Sequence, residues 1–286
     1  MKKVAIITDS TGCVRQQDLA EFNVSINHLV IIFKEKVYQE FKDINPEKFV
    51  KLSHEHEELP TTSQAAPGQT VELYEQVLAD GYDEIIHITV ASKLSGSYQS
   101  AVSCATMVDE KRIHIFDSKT IAYPQGAMAV AAAKKAHQGA NTAEIIKDLE
   151  AMRDSSHLSA AIYHLTNLRK GGRLSNVEAS LGSLLQIKPI VQIQPDGSLE
   201  AVEKVRTFKK AIASLLEQAK AANLTEAYEI GILHMENKEG AELIYNEMEK
   251  LYPNLNIQLL PLSLVVAVHA GQGAVGIGWV KTKSLN

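Results

Sequence analysis

The chain has 286 residues, a hydrophobic fraction of 45%, a charged fraction of 22% and a net charge of −5. At about 150 residues per domain this length suggests roughly two domains, and the composition excludes collagen-like, coiled-coil and largely disordered chains. The acidic balance lacks the positive field that draws nucleic-acid phosphates. Aromatic residues are only 6%, with a single Trp, so a large core has to be aliphatic. Cys13 and Cys104 have no CxxC partner and cannot build a disulfide framework, so a reducing, cytoplasmic setting is expected. The opening MKKVAIITDS reads as a buried strand rather than a signal peptide, because its apolar run stops at Thr8-Asp9. With no run of about 18 apolar residues, no membrane span is expected.

Taken in chain order, residues 4–8 read as a buried strand and 27–33 as a second apolar run. Residues 68–80 carry Val71, Tyr74 and Leu78 at helical spacing, with Gly81 as a C-cap. Residues 84–90 are a strand, 95–108 a helix, and 112–118 a strand. An Ala-rich helix follows over 124–137 with Pro124 in its first turn, then another helix over 142–155. This strand–helix alternation predicts a parallel sheet covered by helices over residues 1–157. Residues 158–286 are expected to form a second domain with a mixed sheet. It opens on a strand at 158–165 and continues with a hairpin over 188–205, turning at Pro195-Asp196-Gly197. Helices at 207–223 and 238–253 and a Gly-rich strand at 273–281 complete it. The fold class expected is two-domain α/β.

Four polar stretches fall where strands should end, the place where open α/β sheets bind ligands. They are Thr8-Asp9-Ser10-Thr11, the run from Pro60 to Gly68 (PTTSQAAPG), the run from Ser92 to Ser97 (SKLSGS), and the run from His269 to Ala274 (HAGQGA). Such hydroxyls serve either as helix N-caps or, together with free backbone N–H groups, as a cradle for an anionic oxygen. Catalytic templates fit poorly. GxSxG is absent around Ser95, and no Walker-type GxxxxGK[ST] occurs. Gly271-x-Gly273-x-x-Gly276 has no room for the helix a dinucleotide site needs. His54-Glu55-His56 reads as a solvent-facing pair rather than a metal site. His87, His114 and His164 read as core histidines, whereas His269 sits among small residues and glycines. Arg169-Lys170-Gly171-Gly172-Arg173 is a basic turn ahead of an expected helix, either solvated or suited to a phosphate or a protein partner.

The strings TDST, TTSQAAPG, SKLSGSYQSA, FDSK, LRKGGRLSN, KPI and HAGQGAVGIGW, in this order, resemble the DegV family across essentially the whole chain. The resemblance implies a bacterial protein that holds one long-chain fatty acid, of the palmitate, stearate or oleate class, between its two domains. It implies no further cofactor. It also implies a partner: a separate ATP-binding fatty acid kinase subunit, related to dihydroxyacetone kinases, that phosphorylates the bound carboxyl group for phospholipid metabolism. By motif, Thr62 and Ser95 correspond to the hydroxyls on the carboxylate, completed by Gly96 and His269, with Thr61 and Ser63 as neighbouring candidates. Arg173 corresponds to the arginine of the phosphotransfer face. The sequence departs from the family pattern at Ala65-Ala66 and in reading DST in its first motif, and both departures bear on lipid selectivity. Burying about 16 carbons at about 0.8 kcal/mol per methylene is worth on the order of 10 kcal/mol, and a buried carboxylate can be satisfied by hydroxyl and N–H donors. Two other readings stand beside this one: a serine hydrolase using Ser95 and His269 with Asp9 or Asp117 as orienting acid, and a regulatory protein with the lipid as a structural ligand.

Overall fold

The computed structural model describes residues 2–163, 165–175 and 187–283. The first layer is a four-stranded, wholly parallel sheet in the order β2-β1-β6-β7, built from β1 (Val4–Asp9), β2 (Ser25–Asn27), β6 (Glu84–Thr89) and β7 (Ile113–Asp117). Every residue of β1 is buried. That is why VAIITD reads as a continuous run rather than an alternating one: helices cover both faces of a parallel sheet. The covering helices are α1 (Gln16–Phe22), α3 (Pro67–Ala79), α4 (Ser97–Val108), α5 (Tyr123–His137) and α6 (Thr142–Asp154).

Between β2 and β6 the chain leaves this sheet. The run at 27–33 does not continue the parallel layer. Instead β3 (Val30–Phe33) pairs antiparallel with both β4 (Lys36–Gln39) and β5 (Thr61–Ser63), and α2 (Pro46–Glu55) lies between β4 and β5 in sequence. His54 is exposed on α2 and His56 packs its ring near Phe33 at 5.7 Å. Among the described residues no cluster of His, Cys, Asp and Glu could hold a metal ion.

The third layer is a seven-stranded mixed sheet in the order β13-β12-β14-β8-β10-β11-β9. Its strands are β8 (His157–Ala161), β9 (Leu174–Ser175), β10 (Lys188–Ile193), β11 (Leu199–Val205), β12 (Tyr228–His234), β13 (Asn256–Pro261) and β14 (Val275–Lys281). The hairpin β10–β11 turns through Pro195-Asp196-Gly197, where Gly197 has φ +87°. The strand expected over 158–165 stops at Ala161, and α7 (Leu165–Gly171) follows. His164 and the helix expected after Arg173 lie outside the described residues. α8 (Phe208–Ala221) and α9 (Lys238–Leu251) cover one face.

Helix α5 joins the two large sheets. Ala127, Ala129, Ala132 and Ala133 are all buried, so its alanines are small because the helix is covered nearly all round. On the mixed-sheet side its first turn meets backbone. A Cβ on Gly231 would overlap the ring of Tyr123, and one on Gly278 would stand 3.0 Å from Pro124 Cγ. Gly231 of β12 and Gly278 of β14 therefore provide the space in which α5 docks. No helix among the described residues is long and apolar enough to cross a membrane, and Cys13 and Cys104 are both free thiols.

Candidate functional site

The TDST stretch that ends β1 serves the framework. Asp9 is wholly buried and its carboxylate accepts from Val90 N at 2.9 Å, Asn27 Nδ2 at 3.2 Å and His87 Nε2 at 3.3 Å. His87 Nδ1 lies 2.6 Å from the Tyr74 hydroxyl, so His87 is a satisfied core residue. His114 is half-buried. Thr8 donates to Ile88 O, and Thr11 donates to Gln125 Oε1. These bonds cross-link adjacent strands and anchor α5 rather than cap a helix.

Beyond the carboxyl ends of β1, β6 and β7 a cavity opens between the sheets. The space between its walls, open mouth included, is about 1160 Å³. Most of the lining is apolar. Leu29, Val90, Leu94, Ile121 and Ala122 come from the first half of the chain, and Leu158, Ile162, Val191, Ile193, Leu233 and Val265 from the second. Ala122 turns the chain into α5 with φ +58°, ψ −138°, a conformation a non-glycine residue holds only where its surroundings impose it.

The polar lining is continuous. Thr62 on β5 and His269 approach to 2.8 Å between Oγ1 and Nε2. His269 lies on a helix, α10 (Leu264–Ala270), rather than in the glycine loop that the sequence suggested. The loop begins one residue after the helix, at Gly271 with φ +76°. On the far side of His269, a Cβ on Gly171 would overlap Nδ1. Arg173 donates from Nη1 to Gly171 O at 2.6 Å and from Nε to Leu94 O at 3.3 Å, next to Ser95. Gln64, which sequence reasoning missed, packs its amide oxygen against Gly96 so closely that a Cβ there would overlap it. Thr62, Ser63, Gln64, Ser95, Gly96, Arg173 and His269 all line the cavity, whereas Thr61 is exposed and stands outside the lining.

Burial, and secondarily the nearby Arg173 charge, push the His269 imidazole down to about 4, so it is neutral at pH 7 and protonated on one nitrogen only. Nδ1 is buried and has no hydrogen-bond partner. Because Gly171 faces Nδ1 with C–H, a lone pair fits there and an N–H does not. The proton therefore sits on Nε2 and is donated to Thr62 Oγ1. That leaves the Thr62 hydroxyl proton free for a ligand oxygen. Ser95 Oγ lies 2.9 Å from Ser97 Oγ and accepts from Ser97 N at 3.2 Å, at the start of α4. The site thus offers two hydroxyls and helix-terminal N–H groups as donors, with Arg173 at the rim. Neutral donors of this kind satisfy an anionic oxygen at the end of an apolar body.

A hydrolytic relay is not assembled among the described residues. Ser95 pairs with Ser97, and His269 Nε2 is engaged by Thr62. Asp9 belongs to the His87 network, and Asp117 Oδ1 accepts from Ser92 N and Lys119 N.

The family model described as "Uncharacterised protein, DegV family" matches residues 3–282. The chain belongs to the DegV family. A DegV domain-containing protein of Halalkalibacterium halodurans is 35% identical over 281 residues, covering 98% of this chain and 99% of that one. The crystal structure of DegV, a fatty acid binding protein from Bacillus subtilis, superposes with a TM-score of 0.88 at 33% identity, covering 98% of this chain and all of that one (100%). A fatty acid binding DegV family protein from Streptococcus agalactiae superposes with a TM-score of 0.89 at 28% identity, covering 98% and 99% of the two chains. This DegV-family chain therefore shares the α/β fold of those crystal structures, with a parallel sheet in its N-terminal part and a mixed sheet in its C-terminal part.

Proposed function

We propose that this DegV-family protein binds one long-chain fatty acid of the palmitate, stearate or oleate class. Its tail would lie in the apolar cavity between domains spanning residues 1–157 and 158–286. Its carboxylate would meet the Thr62 and Ser95 hydroxyls and the Gly96 backbone, with His269 holding Thr62 in its donating orientation. The observation that carries this reading is a cavity whose walls are mostly apolar and whose polar end gathers hydroxyls and a neutral imidazole, with the Arg173 charge at the rim. Burying an acyl chain in it is worth on the order of 10 kcal/mol gross, and fatty acid binding by the B. subtilis and S. agalactiae relatives supports it.

We further propose that the protein is a cytoplasmic carrier subunit rather than a complete enzyme, presenting the carboxylate to a separate ATP-dependent kinase. A carboxyl oxygen held by neutral donors keeps its nucleophilicity toward a γ-phosphate. Arg173, exposed at the rim, would meet the phosphate as it arrives. Native mass spectrometry of the protein purified from bacteria is expected to find one fatty acid per chain. A protein that comes out empty and takes up neither palmitate nor oleate sinks the binding reading. With a fatty acid kinase subunit and ATP, Arg173→Ala is expected to keep lipid affinity and lose phosphorylation, and parallel loss of both removes Arg173 from the transfer step.

A further inference from the structure

Glu40 follows β4 and is wholly buried, although the sequence around it is polar and gives no hint of a role. Its carboxylate reaches the start of α10, more than 220 residues away in the chain. Oε1 accepts from the backbone N–H of Leu264 and, at 3.2 Å, from that of Val265, and Oε2 accepts from the Ser263 hydroxyl at 3.4 Å. Ser263 in turn caps the N–H of Val266 at 3.3 Å. The first three N–H groups of the helix are thus satisfied, two of them by a carboxylate from another element.

On its own side Glu40 is fastened to the segment that leads into the sheet carrying the other half of the site. Its N–H donates to Leu29 O at 3.0 Å, and its carbonyl lies 2.7 Å from His28 Nδ1. Those residues lead into β3, whose Ile31 is paired with Thr62 of β5. Glu40 therefore spans the two bodies that carry the Thr62–His269 hydrogen bond: the β3–β5 sheet bears Thr62, and α10 bears His269 one turn and a half further along. A seven-residue helix has too few internal bonds to set its own place, so its axial position depends on what holds its first turn.

We infer that Glu40 is the positioning residue of the head-group site, fixing α10 against the β3–β5 sheet so that His269 turns the Thr62 hydroxyl toward a ligand carboxylate. This rests on the fatty-acid reading for its ligand but not for its geometry. The test measures palmitate and oleate affinity by calorimetry for the parent, Glu40→Ala, Thr62→Ala and the double variant. It also records the imidazole ¹⁵N spectrum of His269 in the lipid-free proteins. Glu40→Ala is expected to weaken binding about tenfold, the worth of one well-placed hydrogen bond, and to add nothing once Thr62 is already Ala. Glu40→Gln, which keeps an acceptor oxygen for the same N–H groups, should restore most of that loss. The Nε2–H signal of His269 should lose its exchange protection in Glu40→Ala. A Glu40→Ala protein that melts earlier but binds as the parent does, or losses that add in the double variant, overturn the inference. If Glu40→Ala does not fold, Glu40→Asp, which withdraws the carboxylate by one methylene, carries the same comparison. If the parent binds neither lipid, the ligand reading fails by itself, and the lipid-free ¹⁵N spectra still decide whether Glu40 holds the pair.

Discussion

Gly171 meets the Nδ1 edge of the His269 imidazole, so close that a Cβ at position 171 would overlap Nδ1. The contact joins the end of α7 to the end of α10, two helices that pack against each other beside the cavity. It also fixes the histidine chemically: a C–H face opposite Nδ1 leaves the proton on Nε2, where Thr62 accepts it.

Gly171→Ala follows directly. In an exposed helix this change stabilises by about 0.5–1 kcal/mol. Here the new methyl has to move His269 off Thr62. The expected result is a folded protein with about tenfold weaker fatty-acid binding, the loss of one hydrogen bond. Calorimetry with palmitate reads the affinity and circular dichroism the fold. An unchanged dissociation constant means that the imidazole can slide without cost and that the contact is incidental.

Ser95 does two things at once. It takes up the Ser97 N–H at the start of α4, and its hydroxyl lines the cavity. Ser95→Ala is therefore expected to lose about 1 kcal/mol of stability, as N-terminal capping hydroxyls do, and to weaken lipid binding as well. Ser97→Ala, buried behind it, should cost stability and leave more of the affinity. Neither serine should react with a fluorophosphonate probe, because among the described residues the Ser95 hydroxyl pairs with Ser97 and with no imidazole. Stoichiometric labelling at Ser95 would restore the hydrolase reading.

The legible part of the fold was the part with long, uniform runs. VAIIT and EIIHITV are nearly continuous apolar strands because both faces of their sheet are covered, and the Ala-rich helix was visible for the same reason. The site was legible as motifs but not as structure. Thr61–Ser63 is a three-residue strand, shorter than any periodicity, and it is a strand only because Ile31 and its neighbours pair with it. α10 reads LVVAVHA, a β-branched apolar run that favours an extended reading. Ser263 as N-cap was its one local signal, and Glu40, which completes the cap, lies far away in sequence. Gln64 and Glu40 carried no signal, since their roles exist only once distant elements meet.

Stability should depend on pH through Glu40. Burial, offset in part by hydrogen bonds from Ser10, Val265, Ser263 and Leu264, pushes its carboxyl from an ordinary 4.5 up to about 7. The groups facing it supply no positive charge near neutrality. Burial lowers His28, and Cys13 is pushed up to about 12 and stays a neutral thiol. The folded state therefore holds this proton more tightly than the unfolded chain. Below about 4.5 both states are protonated and nothing is lost. As pH rises to about 7 the folded protein loses up to about 3 kcal/mol relative to a non-ionising side chain. Urea unfolding at pH 5 and pH 8 should show Glu40→Gln gaining on the parent at the higher pH. A difference that does not change with pH removes the carboxylate from the account.

His269 should titrate in the opposite sense and far from neutrality. Burial is the larger cause and the Arg173 charge the second, and together they bring it down to about 4. In the unfolded chain it returns to about 6.5. The unfolded state thus binds the extra proton first, so this contribution to stability is complete above pH 6.5 and drains away as pH falls toward 4. An imidazole ¹⁵N titration of the lipid-free protein should find His269 neutral, protonated on Nε2, from pH 8 down to pH 5. Arg173→Ala removes the nearby cation and should raise its pKa, while burial still keeps it below the value in the unfolded chain. A parent His269 that titrates near 6.5 would mean a charged imidazole at working pH. The carboxylate would then be held by an ion pair rather than by the Thr62 hydroxyl, and Thr62→Ala would cost little.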